Sequence, residues 1–235
     1  LHFESIMLFF LVCALYKLTQ KKWCFAGVLI AGAISVKLIP LLFLPLFYQW
    51  FAKPKNLKKN SVEVEDKSSN RILRKKWGPS VPGLKNLIAF YGIVFTTIIV
   101  LFLPFYSQEL VSNYLKSIGL WFLKFEFNAS FYYLFREIGY LFRGWNEIAI
   151  IGKITSTLTL IFIGYLSFFR KNSSMPQLIT ALLFGSSFYY FTTTTMHPWY
   201  LATLLILSIF TKYRFTIVWS FLVILSYQAY ANSTW

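Results

Sequence analysis

The sequence predicts an all-α, polytopic transmembrane helix bundle with about eight membrane segments. Hydrophobic residues make up 57% of the 235 residues and aromatic residues 21%, whereas charged residues make up only 13%. A soluble domain of this size needs more surface charge, which argues against a soluble globular protein. The apolar residues also fall into runs separated by charged clusters, which is the pattern of successive membrane helices.

Eight apolar runs are the predicted membrane segments, although several are short. They cover residues 5–18, 23–36, 41–51, 87–104, 148–169, 177–192, 199–210 and 215–230. The chain is thereby divided into a first helix with a hairpin (1–52), a basic loop (53–86), one helix (87–104), an external loop (105–147) and a four-helix part (148–235).

Lys and Arg residues in the connections predict the orientation of the bundle. If the segments alternate, seventeen of the 23 basic residues lie on one side, ten of them in the loop between residues 53 and 85. The positive-inside rule makes that side cytoplasmic. The lysine-rich loop is predicted to be a disordered or loosely folded linker, with binding to anionic membrane lipids as a second interpretation.

Lys37 interrupts about thirty otherwise apolar residues and is the most specific single signal. A charge at mid-bilayer costs about 2.5–3.5 kcal/mol, so we expect a polar partner for it. The runs 23–36 and 41–51 would form helices of about 17–21 Å, against roughly 30 Å of hydrocarbon. We therefore expect a hairpin that reaches part of the way through the membrane, with Lys37 at a water-filled or ligand-filled cavity.

The external loop has a different pattern, in which aromatic residues alternate with single charges. Apolar positions recur at spacings of three and four, which predicts amphipathic helices at the membrane interface. Trp and Tyr favour that depth, so an aromatic belt explains the pattern, while a lid over a cavity is the functional interpretation. Asn128-Ala129-Ser130 matches a glycosylation sequon, which matters only in a eukaryotic secretory protein.

Side chains of complementary chemistry fall on the extracytoplasmic side in this topology. They are His2, Glu4, Lys37, Arg136, His197, Trp199 and Tyr200. Cations balance phosphate charge, and a carboxylate can take a proton from an attacking hydroxyl. Aromatic rings can stack on sugar faces, so the group suits a phosphate-bearing lipid substrate. The structural alternative for His197-Pro198-Trp199-Tyr200 is a helix start with interfacial aromatic residues.

Several other chemistries find no support in the sequence. It contains no Gly-rich phosphate loop, no cluster with metal-ligand spacing and no Ser-His-Asp order, so we expect neither a metal nor another cofactor. Cys13 and Cys24 lie inside apolar runs and are interpreted as helix-packing residues. The formal charge of +15 is assigned to membrane topology, and no nucleic-acid partner is expected.

Four segments together carry a resemblance to a known family. They are the opening His2-Phe3-Glu4-Ser5, the Lys-Leu-Ile-Pro segment at 37–40, the stretch from Phe127 to Arg136 and the His-Pro-Trp-Tyr segment at 197–200. With the intervening helices they resemble the multi-spanning glycosyltransferases of the C-type superfamily. The pattern is most similar to the Bacteroidetes-type mannosyltransferases that use polyprenyl-phosphate sugars.

The resemblance implies transfer of a hexose, with mannose as the expected sugar, from a lipid-linked donor to a glycan or glycolipid acceptor. The site would face the periplasm of a bacterial inner membrane. The family's catalytic base is usually an Asp in the first external loop, but the one Asp here, Asp66, lies in the cytoplasmic loop. Because the chain opens on Leu1, we expect the base in a preceding portion, with Glu4 as a second acid; the other six residues would bind substrate.

Two other classes stay open at this point. A secondary transporter of an anionic substrate also combines short or broken helices with an intramembrane charge. An internal repeat would favour transport, but the segments are unequal and the loops dissimilar. A lipid-binding or scaffold protein without chemistry is the third class, and the clustering of polar groups on one face argues against it.

Overall fold

The computed structural model describes residues 3–52 and 83–228, and every regular element in this part of the chain is a helix, as predicted. Its ten α-helices are α1 (Glu4–Thr19), α2 (Trp23–Val36), α3 (Tyr48–Ala52), α4 (Leu84–Phe102), α5 (Gln108–Leu123), α6 (Phe131–Arg143), α7 (Ile148–Phe168), α8 (Met175–Thr192), α9 (Leu201–Ile209) and α10 (Phe215–Gln228). Three 3₁₀ segments cover Ile39–Phe47, Leu103–Phe105 and Pro198–Tyr200. His2, most of the basic loop and the last two residues of the predicted segment 215–230 lie outside the described residues.

Two helices in the described part are long and apolar enough to cross a membrane. Leu84–Phe105 has 22 residues and a mean hydropathy of 2.4, and Ile148–Phe168 has 21 residues and a mean hydropathy of 1.7. Few of their residues are buried, as expected for helices that face lipid. Both features favour membrane association.

The predicted count of eight spanning segments is not reached in the described residues. Four further apolar helices have between 10 and 17 residues: Trp23–Val36, Ile39–Phe51, Pro198–Ile209 and Phe215–Ser226. Helices α1 and α8 also do not qualify as spanning helices. Helix α1 has only 16 residues, and α8 carries hydroxyl groups along its length, which lower its hydropathy. The sequence-based count was higher because it included every run without charged residues, and such a run can still be too short or too polar to span a membrane.

The chain between α2 and α4 departs from the expected hairpin of two helices. After α2 ends, Lys37 is extended, with φ −156° and ψ 136°. Residues Ile39–Phe47 then form a 3₁₀ segment, and only five residues follow as α-helix. Pro40 and Pro45 account for this, because proline lacks an amide donor and disfavours the α conformation of the residue before it. The predicted helix at 41–51 is therefore mostly 3₁₀.

Small residues on α2 let it pack closely against its neighbours α1 and α4. Ala26, Ala31 and Ala33 are fully buried along it. A Cβ atom added at Gly27 would lie 3.1 Å from the side chain of Ile93 on α4. Close approach of this kind stabilises helix pairs in lipid, where no hydrophobic force draws helices together.

A network of hydrogen bonds caps the C-terminal end of α7. The buried amide of Gln49 donates to the carbonyls of Ser167 (2.8 Å) and Phe168 (3.1 Å). Its oxygen accepts from the backbone N–H of Asn172 (3.2 Å), whose side chain donates to the Leu166 carbonyl (2.7 Å). The last carbonyls of α7, which have no partner within the helix, are thereby satisfied.

We expect Gly27→Leu to lower the free energy of unfolding by about 1–3 kcal/mol, because the new side chain overpacks the contact between α2 and α4. Gly92→Leu is the matched control, since nothing lies within 4 Å of a Cβ at this exposed position of α4. Both variants are compared by equilibrium unfolding in detergent. Equal losses in the two variants would contradict this account of the packing.

Candidate functional site

A partly buried ion pair between Glu4 and Lys37 forms the centre of the candidate site. Glu4 lies in the first turn of α1 and is 3% exposed. The ammonium of Lys37 donates to Glu4 Oε2, and the hydroxyl of Thr203 on α9 donates to Oε1 at 3.1 Å. The polar partner expected for Lys37 is thus a carboxylate, and three elements meet at it.

Local backbone structure explains why the two charges meet. The first turn of a helix favours a carboxylate because unpaired N–H groups and the helix dipole point toward it. Lys37 follows the last residue of α2, and its extended backbone turns the side chain out of the helical row. The side chain of Lys37 keeps 22% of its surface exposed, so the pair is not sealed.

A group of packed aromatic rings lies on one side of Lys37, in and next to the Pro198–Tyr200 segment. The Nζ atom of Lys37 lies 3.7 Å from the centroid of the Tyr200 ring, which is a cation–π contact. Tyr200 stacks on Tyr190 of α8 at 5.7 Å between centroids. His197 and Trp199 stack on each other at 4.4 Å, with His197 perpendicular to Tyr200 at 5.3 Å. The structure therefore brings together five of the predicted site residues.

Arg136 is engaged in a different cluster. Its guanidinium contacts the carboxylates of Glu126 (2.8 Å) and Glu137 (3.0 Å) and lies 4.7 Å from the centroid of the Tyr133 ring. The prediction grouped Arg136 with Lys37 because both fall on one side of the membrane. Sidedness does not determine which charges pair, and the structure gives Arg136 two carboxylates of its own.

Glu126 is the residue that sequence reasoning missed. Besides Arg136, its carboxylate accepts hydrogen bonds from the hydroxyl of Tyr132 and from the amide of Asn146 (2.9 Å). Desolvation raises the pKa of Glu126, but these hydrogen bonds and the charge of Arg136 outweigh it, and the pKa lies below its ordinary value. Opposite charges at 126 and 136 were visible in the sequence, but the pattern did not single out this pair.

Residues 125–128, which we call the strap, connect this cluster to the aromatic segment. The backbone N–H of Phe127 donates to the Thr194 carbonyl (3.0 Å), and the N–H of Met196 donates to the Phe127 carbonyl (2.8 Å). The ring of Phe127 lies 5.0 Å from that of His197. The strap therefore pairs with the chain immediately before His197, as part of an isolated parallel β-bridge.

The sequon asparagine belongs to the same strap. Asn128 is 5% exposed, has a left-handed backbone with φ 47°, and is hydrogen-bonded through its side chain to Ser226 of α10. A glycan would be attached to the amide nitrogen, and the burial of this side chain leaves no room for one in the folded protein. The sequon is thus explained as a structural contact.

An apolar groove lies beside the lysine, between the end of α2 and helices α4 and α5. Its volume is about 420 Å³, within the range of roughly 300–1,000 Å³ that is typical of small-molecule pockets. Ile34 and Leu38, which flank Lys37 in the sequence, line one wall. Ile98 and Phe102 of α4 and Leu115 of α5 are among the residues opposite. Lys37 itself is not among the lining residues of this groove, so the water-filled or ligand-filled cavity expected at Lys37 stays a prediction.

Comparisons with known proteins give no information about the function of this site. Comparisons of the chain with protein-family models, curated proteins and solved structures find no match. Among residues 3–52 and 83–228, no three His, Cys, Asp or Glu side chains come together as metal ligands. The resemblance drawn from the sequence therefore stays a proposal, which the geometry can support.

We expect Lys37→Met to lower the free energy of unfolding by about 3–5 kcal/mol, because it leaves the buried Glu4 carboxylate without its counter-ion. The double variant Glu4→Gln/Lys37→Met should be closer to wild type, since no unpaired charge is left and the substituted amide can still bond to Thr203. Equilibrium unfolding of the wild type, Glu4→Gln, Lys37→Met and the double variant gives the coupling energy. If the double variant were no more stable than Lys37→Met, the ion pair would not be the interaction that matters.

We expect the carboxylate of Glu126 to titrate below its ordinary pKa of 4.5. A depressed pKa means that its contribution to stability is complete above that ordinary value and disappears as the pH falls through the lowered one. Carbon-13 NMR of the labelled carboxyl measures the pKa directly. Arg136→Gln should move it upward, and an unchanged pKa in that variant would contradict the assigned cause.

Proposed function

We propose that the protein is an integral membrane glycosyltransferase that moves a hexose from a polyprenyl-phosphate sugar to a glycan or glycolipid acceptor. The donor sugar is proposed to be mannose, and the site to face the periplasm of a bacterial inner membrane. The observation that carries the proposal is the ammonium of Lys37, held by Glu4 at the end of a short apolar helix, beneath an aromatic ring and beside an apolar groove.

Lys37 is assigned to the donor phosphate. An ammonium has three N–H donors. One is directed to Glu4, and the Tyr200 ring covers another side, while part of the lysine surface stays exposed. This leaves one N–H for a phosphate oxygen, held in a fixed direction. Such a preorganised cation stabilises charge that develops on a leaving phosphate.

The groove and the aromatic residues suit the two other parts of the donor. A hydrocarbon-lined cavity beside the cation can take the first units of a polyprenyl chain, whose burial is favourable roughly in proportion to its apolar area. On the other side of Lys37, Trp199 and Tyr200 stand nearly perpendicular to each other, at 85°. Trp199 is partly exposed and stacks on His197 through one face, so its other face is proposed to pack on the sugar.

In the proposed reaction, an acceptor hydroxyl attacks the anomeric carbon and loses its proton to a base. The bond between that carbon and the phosphate oxygen breaks, and the lipid phosphate departs with the electron pair next to Lys37. Both oxygens of Glu4 already accept hydrogen bonds. We therefore assign Glu4 to holding Lys37 in place, and not to removing the acceptor proton.

The membrane topology completes the proposal. The four shorter apolar helices, with α1 and α8, are proposed to join the two long ones in a bundle of about eight segments. Several would reach only part of the way across, as the 14 residues of α2 do. The side that carries seventeen basic residues would be cytoplasmic, which places the Lys37 site on the opposite face.

A secondary transporter of an anionic substrate is the second candidate. The favouring observation is that α2 ends at a charged residue and the chain continues as a 3₁₀ segment, since transporters bind ions at such interrupted helices. Transport and transfer differ in their products. A transporter moves its substrate unchanged across the membrane, whereas the transferase releases polyprenyl phosphate.

We expect the protein in lipid vesicles, supplied with polyprenyl-phosphate mannose and a crude acceptor extract, to release polyprenyl phosphate. Lys37→Met should lower the rate by about a hundredfold or more, the effect of losing one electrostatic stabiliser of a transition state. Lys116→Met on exposed α5 is the matched control and should be unaffected. Glu4→Gln/Lys37→Met separates a loss of chemistry from a loss of stability. No release by folded wild-type protein with any polyprenyl-phosphate sugar would favour the transporter.

A further inference from the structure

We propose that Glu126 is a positioning residue for the donor site. It would serve that site by anchoring the strap (residues 125–128), which pairs with the chain just before His197–Tyr200, the segment whose Tyr200 contacts Lys37. The role rests on the proposed function, because the site it positions is the proposed donor site. Glu126 has no contact with the Lys37 ammonium among the hydrogen bonds and ion pairs of the described residues. Its effect has to pass through the strap.

The anchor is built from three donors that converge on one carboxylate. Arg136 bonds to Oε1, while Tyr132 and Asn146 bond to Oε2. Tyr132 is fully buried, so one of the three donors is itself fixed by packing. Hydrogen bonds to an ionised acceptor are roughly twice as strong as neutral ones. Glu126, the second residue of the strap, is therefore held firmly on α6 and on the loop that follows it.

The next residue transmits this hold to the aromatic segment. Both backbone groups of Phe127 are paired with the chain at 194 and 196, which sets the register of the strap against the residues just before His197. The hydroxyl of Thr195 adds a bond to the Phe125 carbonyl at 3.3 Å. A shift of the strap would therefore shift the start of the aromatic segment with it.

A series of ring contacts completes the connection to the cation. The ring of Phe127 packs on His197, which meets Tyr200 edge to face, and Tyr200 covers the ammonium of Lys37. Each ring is rigid and has only two side-chain torsions, so a displaced ring moves the ring that packs on it. Loss of the anchor should therefore change how the donor is bound.

The other end of the strap is attached independently. Asn128 is hydrogen-bonded to Ser226 on α10, and this bond does not involve Glu126. A variant at Glu126 therefore loosens one end of the strap while the other end stays tied. The expected result is a looser site in a folded protein.

Hydrogen exchange at the amides of Phe127 and Met196 tests the anchor without any assay of activity. Glu126→Gln should speed exchange at both amides by about tenfold or more, the consequence of losing a charge-assisted hydrogen bond. Tyr132→Phe keeps the buried volume and should give the same direction. Glu137→Gln is the matched control, because Glu137 also pairs with Arg136 but is 63% exposed and has no bond to the strap. Unchanged exchange in Glu126→Gln and Tyr132→Phe would overturn the proposal.

Steady-state kinetics then tests whether the anchor serves the donor site. The KM for polyprenyl-phosphate mannose should rise several-fold in Glu126→Gln and recover in part in Glu126→Asp, whereas Glu137→Gln keeps the wild-type value. Faster exchange with an unchanged KM would contradict the positioning role. A wild-type protein without transferase activity would contradict the proposed function alone, because the exchange result stands apart from it.

Discussion

The ion pair between Glu4 and Lys37 is the constraint on which the arrangement of this protein depends. A buried charge is tolerated only where a partner and hydrogen bonds compensate for its lost hydration. To supply them, the start of α1, the end of α2 and the first turn of α9 must meet at one point. That requirement fixes where α2 ends, and it brings Tyr200, immediately before α9, over the lysine.

The same ion pair shapes the electrostatics of the proposed reaction. Glu4 neutralises Lys37, so a monoanionic sugar phosphodiester meets a dipole with its positive end exposed, and not a bare cation. After transfer, the lipid phosphate is a monoester with a charge between about −1.5 and −2 near neutral pH. Repulsion from Glu4 then grows with the product's charge. The carboxylate that holds the lysine thereby also favours departure of the product.

The sequence predicts the features that depend on neighbouring residues, but not the contacts between residues that are distant in the chain. The helical class, the anomaly of Lys37 and the start of a helix at Pro198 follow from local composition and spacing. Placement of Glu4 and Lys37 on one face followed from topology. The pairing of Arg136 with Glu126 did not, because alternation assigns a side of the membrane and no partner. The 3₁₀ segment could have been predicted from its two prolines, but the apolar run around them favoured an α-helix.

The most direct test of the proposed donor site is photo-crosslinking of the protein in vesicles with a polyprenyl phosphate that carries a diazirine on its first isoprene unit. A phosphate-free polyprenol with the same diazirine is the control probe. The account predicts labelling of the groove residues between 98 and 115, competed by unlabelled polyprenyl phosphate and lost in Lys37→Met. Equal labelling of lipid-facing positions by both probes, with no effect of Lys37, would contradict it.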